Sequence, residues 1–323
     1  VWCFDVPADQ VTVLVDGEPQ RRVKDKTNDP SGWGDPATPP AHFHEGTDYA
    51  YALGYYQDAY GDKKERIATH RRELLFLDKE GAFVVVDTLT PNDQKDHTYE
   101  ARWHLLTTKW KEQSGAVTIT TDSAEPNFAV VPLKSDALTT HHDSGVSSPE
   151  VLGWDLGHSG GRDKALTVRH QRQGKGQQRF VTLLLPLKKG AAYPVKSVED
   201  LGSSRYRVSF NDGSSLEVTL AGVKPGVKVK VKKADGSGYD VDADPEQHKP
   251  ADAGVDGPGP LSDGGVTPAE DGASNDGSGN ADGAGRAEYD DGGCSIAAGG
   301  SSGLAPALLF VLLGLVALWR RQR

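Results

Sequence analysis

The sequence predicts an all-β fold, a β-sandwich of stacked antiparallel sheets, followed by a disordered acidic linker and one C-terminal transmembrane helix. Three observations carry this reading. Short β-branched and aromatic runs are punctuated by Gly-, Asp- and Asn-rich turns over residues 1–233. No window ahead of the tail sustains a 3.6-residue apolar period. The charge is also uneven. The 323 residues carry a formal −10, yet 13 acidic residues against only Lys249 and Arg286 fall between Val241 and Gly293. The rest of the chain is close to neutral.

The strands follow in order. Val11–Val15 (VTVLV) ends on Asp16-Gly17, a turn pair. Leu74–Leu77 and Phe83–Val86 flank Asp78-Lys79-Glu80-Gly81 and form a hairpin candidate. Tyr99–Leu106, Val117–Thr121, Phe128–Leu133 and Ala165–His170 are further strands. Arg179–Leu187 contains Val181, Leu183, Leu184 and Leu185 and reads as a buried strand. Arg205–Phe210 and Ser215–Leu220 surround Asn211-Asp212-Gly213-Ser214, a strong hairpin signal. Val227–Lys233 alternates Val with Lys and reads as a half-exposed edge strand. About ten strands in a segment of this size suit a sandwich of stacked sheets.

Residues 234–293 read as a linker. They are rich in Asp, Gly, Ala, Pro and Ser and hold almost no large apolar side chain. Such a stretch cannot bury enough surface to offset its ordering entropy. Asp-Gly pairs recur there, but not at the EF-hand spacing that would hold calcium. Residues 294–323 read as a tail. Its uncharged run 301–319 would span about 28 Å as a helix, close to the bilayer core. Arg320, Arg321 and Arg323 follow it, and arginines just beyond an apolar span mark the cytoplasmic side. Cys294 stands between Gly293 and Ser295, just ahead of that span. Cys3 and Cys294 are the two cysteines of the chain, so no disulfide scaffold is expected. There is no methionine and the first residue is Val1, so further sequence is expected upstream. The net negative charge disfavours nucleic acid as a partner.

Two polar constellations stand out. His42–Tyr60 (HFHEGTDYAYALGYYQDAY) carries Tyr49, Tyr51, Tyr55 and Tyr56, the candidates for stacking on sugar rings. Ordinary strand residues are the competing reading. His70, Asp87 and His104 are candidates for a metal, because two histidines and a carboxylate on adjacent strands could hold zinc. Against this, His42-Phe43-His44 is the chain's one H-x-H, and buried structural roles for His70 and Asp87 compete. Glu150, Asp155 and Asp163 are acidic, but nothing in the sequence sets two of them at a glycosidase separation. No phosphate loop or dinucleotide fingerprint occurs.

Two resemblances add to this reading. Gly293-Cys294-Ser295, a short spacer, an apolar span and terminal arginines resemble the MYXO-CTERM sorting tail of myxobacterial surface proteins. That resemblance implies cleavage near Cys294 by a sorting protease and retention at the cell envelope or surface. Thr69–Leu89 (THRRELLFLDKEGAFVVVDTL), His97–Leu106 (HTYEARWHLL), Val11–Gln20 (VTVLVDGEPQ), Gly153–Gly157 (GWDLG) and Thr182–Leu187 (TLLLPL) resemble the C-terminal β domain of heparinase II/III-like polysaccharide lyases.

The second resemblance implies an α/α-toroid partnered with a stacked β domain. It also implies β-elimination on an acidic polysaccharide, in which a base removes the proton beside a uronate carboxylate. Catalytic groups in that family come largely from the toroid, which this chain lacks. Zinc or calcium in family members is held upstream of the "VDG" stretch. The His-Asn that precedes it there is Gln10-Val11 here. The resemblance therefore carries no catalytic residue over to this chain, and no cofactor is expected in it. The expected function is the surface-anchored C-terminal portion of such a lyase. The alternative is a non-catalytic carbohydrate-binding or adhesive surface protein.

Overall fold

The computed structural model describes residues 12–20, 41–56, 60, 67–155 and 163–247. Residues 248–293 of the expected linker, Cys294 and the apolar run 301–319 lie outside the described residues, as do Leu156 and Gly157 of the GWDLG motif. The described residues form nineteen strands and no helix. None of them therefore makes a helix long and apolar enough to cross a membrane.

Strands are numbered in chain order. A central sheet of eight runs β2 (His42–Glu45), β3 (Tyr49–Tyr56), β4 (Ala68–Leu77), β5 (Ala82–Pro91), β14 (Gln178–Leu187), β9 (Asn127–Pro132), β8 (Val117–Thr120) and β7 (Trp110–Gln113). A sheet of four runs β1 (Val13–Val15), β6 (Asp96–Leu105), β13 (Leu166–Lys175) and β10 (Thr139–Asp143). A sheet of five is a simple meander of β15 (Val195–Gly202), β16 (Arg205–Phe210), β17 (Ser215–Leu220), β18 (Val227–Lys232) and β19 (Gly238–Ala243). A short pair, β11 (Trp154–Asp155) and β12 (Asp163–Lys164), completes the described strands. The pairings are antiparallel, as hairpin connections allow.

The eight-stranded sheet is the middle layer of three, and strand alternation explains why. Leu75, Leu77, Val84, Val86, Val181, Leu183 and Leu185 point one way, onto Val208, Leu216, Val218, Val229 and Val231 of the five-stranded sheet. Leu74, Phe83, Val85, Val130 and Leu184 point the other way, onto Trp103, Leu166 and Val168 of the four-stranded sheet. Val13, Val15, Ala68, Leu89, Tyr99, Ala101 and Phe180 extend that second interface. At about 1.5–3 kcal/mol for each fully buried Val, Leu or Phe, these two apolar layers are the chief source of stability. Both expected hairpins form. Gly81 closes β4–β5 at φ 60° and Gly213 closes β16–β17 at φ 89°, backbone angles that favour glycine.

Two expectations about the C-terminal side of the domain are corrected. Val227–Lys232 is not an edge strand, because β19 pairs along its other side in the register Val229↔Val241 and Val231↔Tyr239. Its Val/Lys alternation reports a solvated outer face, with Val227, Val229 and Val231 on the core and the lysines outside. The folded part also runs past 233. Gly238–Ala243 is a strand although its sequence reads as linker, because Val241 and Ala243 bury against the same core.

Candidate functional site

Of the residues singled out from the sequence, the four tyrosines, His70 and Asp87 fall on β3, β4 and β5. Asp87 is fully buried on β5, opposite Arg72 of β4. Arg72 donates to it through Nε at 2.6 Å and Nη2 at 3.0 Å, and His70 Nε2 donates at 2.7 Å. The other ring nitrogen of His70, Nδ1, lies 2.7 Å from the Gln20 side-chain amide nitrogen. Burial alone would push the Asp87 carboxyl up. The Arg72 guanidinium and the His70 N–H outweigh it and hold the group well below the usual carboxylate range. Both nitrogens of His70 and both oxygens of Asp87 are therefore engaged.

His104 does not join them. The connection after β5 carries the chain out of the central sheet, so β6 lies in the four-stranded sheet and is not the neighbour of β5. There His104 stands opposite Thr167, with neither ring nitrogen hydrogen-bonded. Burial lowers its pKa, and nearby Asp155 opposes the shift. No group of three His, Cys, Asp or Glu side chains among the described residues converges as a metal site would. His70 and Asp87 do not fit a resident cation, since each is already saturated by protein partners. His42 and His44 contact each other across β2, Nε2 to Nδ1 at 2.9 Å.

A second buried carboxylate, unremarked in the sequence, ties two layers together. Glu73 of β4 accepts from the Tyr51 hydroxyl at 2.9 Å, the Arg71 Nε at 3.2 Å and the Gly226 backbone N–H at 2.6 Å. Arg71 reaches on to the carbonyl of Val223 at 2.8 Å. The loop between β17 and β18 is thereby bound to the central sheet. The signal for it was the run Arg71-Arg72-Glu73, charges on a strand buried on both faces.

The tyrosines divide by strand parity. Tyr51 is fully buried in the interface with the five-stranded sheet, so it has no face to offer a sugar. Tyr49 and Tyr55 pack half-buried against the same interface, Tyr49 with its hydroxyl on the Asp242 carbonyl at 3.1 Å. Tyr56 points the opposite way, edge-on to the buried Tyr60. The tyrosines whose pKa shifts are all pushed up, and burial is the first cause at each. Tyr99 and Tyr193 reach about 12, and Tyr51, beside Glu73, goes further. That is the wrong direction for a phenol acting as a base.

Charge on the four-stranded sheet is also paired internally. Glu150 makes a bidentate contact with Arg102, at 2.7 and 2.9 Å. Arg169 bridges Asp143 at 2.7 Å and Glu100 at 3.1 Å. Asp155 and Asp163 stand opposite each other in the β11–β12 pair. His97 is held between Asp16 and Asp93, at 2.7 and 2.8 Å. Burial alone would lower its pKa, but those two carboxylates raise it.

A search of curated proteins gives no match. Among solved structures the chain is similar to heparan sulfate lyase HepC from Pedobacter heparinus, at 14% identity and TM-score 0.45, covering 73% of this chain and 30% of that one. A mutant of the same enzyme aligns at 15% identity and TM-score 0.46, covering 75% and 31%. The heparinase III BT4657 gene product aligns at 12% and 0.46, covering 72% and 29%. The chain thus spans about a third of the length of these structures. The family model for the heparinase II/III-like C-terminal domain matches residues 11–218. With most of its length matched by that model, the chain belongs to the heparinase II/III-like family of polysaccharide lyases through its C-terminal domain.

Proposed function

We propose that this chain is the C-terminal β portion of a surface-anchored lyase that cleaves a uronate-containing polysaccharide by β-elimination, with the proton-abstracting base contributed by an α/α-toroid. The family match over residues 11–218 carries the reading. The internal chemistry supports the division of labour. His70, His97 and Asp87 have their polar atoms engaged by neighbours, and the shifted tyrosines are pushed away from basicity. The β domain acts as a rigid support that positions the polysaccharide. Anchoring would come from the tail, by processing at Cys294 and a transient apolar helix over 301–319.

The test incubates the full chain, alone and joined to a family toroid, with heparan sulfate and other uronate polysaccharides. The readout is the ultraviolet absorbance of the unsaturated uronate product. Product is expected from the joined protein and none from the chain alone. Product from the chain alone overturns the division of labour. Binding without product in both arms favours the adhesive reading instead. For the anchor, Cys294→Ala should release the protein from the cell surface, and unchanged retention refutes the role of the tail.

A further inference from the structure

One side of the interface between the central and four-stranded sheets is polar. Thr118 of β8 stands opposite Val130, and Glu112 and Trp110 of β7 stand opposite Thr118 and Thr120, so these side chains share the face that meets the four-stranded sheet. Across from them, His142 of β10 and His170 of β13 share the inward face of Val168. The His142 ring stacks on Trp110, with centroids 3.9 Å apart and planes 14° from parallel. Its Nε2 lies 2.8 Å from Thr118 Oγ1, and its Nδ1 lies 3.9 Å from Glu112 Oε2. His170 is buried and donates through Nε2 to the Ala116 carbonyl at 3.1 Å. Ala116 sits in the β7–β8 turn at φ 61°, a left-handed angle that a side chain adopts only at a cost. Two histidines of one sheet thus grip the turn end of a hairpin that belongs to another.

The far end of the hairpin is held differently, within the central sheet. Thr120 Oγ1 accepts from the Phe128 N–H at 2.7 Å, and Asn127 Oδ1 accepts from the Asp122 N–H at 2.6 Å. Between the two ends, β8 joins β9 in the register Thr118↔Val130 and Ile119↔Ala129. Both histidines are set against carrying charge. Burial pushes His170 down to about 4; the Ala116 carbonyl opposes the fall, and His142 and Arg172 add to it. Burial also lowers His142, against Glu112 and Asp143 and together with His141. The His142 side chain is only 7% exposed, whereas Glu112 is 50% exposed and gives it weak compensation.

We propose that His142 and His170 form an acid-released clasp: neutral, they hold the β7–β8 hairpin against the four-stranded sheet, and charged, they let its turn end swing out about the Thr120–Asn127 end and uncover Trp110. The clasp is independent of the lyase reading. Its sign follows from proton linkage. The closed hairpin binds fewer protons than the open one, so closure is complete above about pH 6.5 and weakens as pH falls towards the depressed values.

Amide hydrogen exchange of the full chain, corrected for the pH dependence of intrinsic exchange, reads the opening residue by residue. Between about pH 7 and about pH 4 the opening equilibrium of the protected amides in 110–119 should rise on the order of a hundredfold. Residues 84–86 of β5 should stay protected, which separates release of the hairpin from global unfolding. His142→Gln combined with His170→Gln should abolish the acid response of the hairpin. If that double variant does not fold, Glu112→Gln, at its half-exposed position, carries the test. Without that carboxylate, charging His142 costs more, and the hairpin should open further than in the wild type at about pH 5. Equal protection of the hairpin at both pH values overturns the clasp. So does loss of protection in step with residues 84–86, or an unchanged acid response in the variants.

Discussion

Asp87→Asn should destabilise the domain by about 3 kcal/mol, the low end of what removing one partner from a buried ion pair costs. The figure follows from the site. The carboxylate is fully buried and accepts three contacts, two from Arg72 and one from His70. Asparagine keeps the volume but replaces one acceptor oxygen with an NH2 that faces donors. Arg72 is 14% exposed and can recover some hydration, which places the loss at the low end. Urea unfolding of the full chain measures it as a lower midpoint at unchanged m. Acid supplies an independent check. The folded-state pKa of Asp87 is depressed: burial would raise it, and Arg72 and His70 overcome that. Its contribution is therefore complete above about pH 4 and fades as pH falls through the depressed value. Wild type and variant should converge in strong acid. A loss below about 1 kcal/mol, the scale of an ordinary neutral hydrogen bond, refutes the assignment, as does a gap that persists in acid.

Further outcomes follow from the same geometry. Tyr51→Phe leaves the buried Glu73 with one donor fewer and should cost about 1–3 kcal/mol; a neutral result in urea titration would show that the Gly226 and Arg71 contacts suffice. Gly213→Ala forces a side chain to φ 89° and should lower stability by about 1 kcal/mol or more, read as a fall in Tm. The His97 ring should titrate by NMR above the ordinary histidine value. Its contribution is full below about pH 6.5 and lost as pH rises through the elevated pKa. Asp93→Asn should bring that midpoint down, and an unchanged midpoint would remove Asp93 as a cause.

What the sequence revealed was local. The Asp78–Gly81 and Asn211–Ser214 turns were legible because turn chemistry acts over four residues. The burial of Arg179–Leu187 was legible in its concentration of Val and Leu. Layer assignment was not. His104 sits on a strand that follows β5 in the chain but belongs to another sheet, and no local pattern records that crossing. The Tyr49–Tyr60 cluster was visible as composition, yet the inward packing of Tyr51 depends on a sheet that begins only at Val195. Strand β19 was hidden by its Asp and Gly content, because the core that recruits it lies on β16–β18.

The double-sided burial of the central sheet has a bearing on how its strands find their alignment. A strand with one wet face is held in place by the penalty of turning its apolar side to water. Residues Phe83–Val86 of β5 are apolar at every position, so shifting that run by one residue against β4 would exchange one greasy surface for another. What such a slip cannot tolerate is moving Asp87 away from Arg72 and His70. The buried charge thus serves as a key in a lock, selecting one alignment among several of similar oiliness. Loss of that key should show up as competing alignments during refolding, in addition to the lower equilibrium stability.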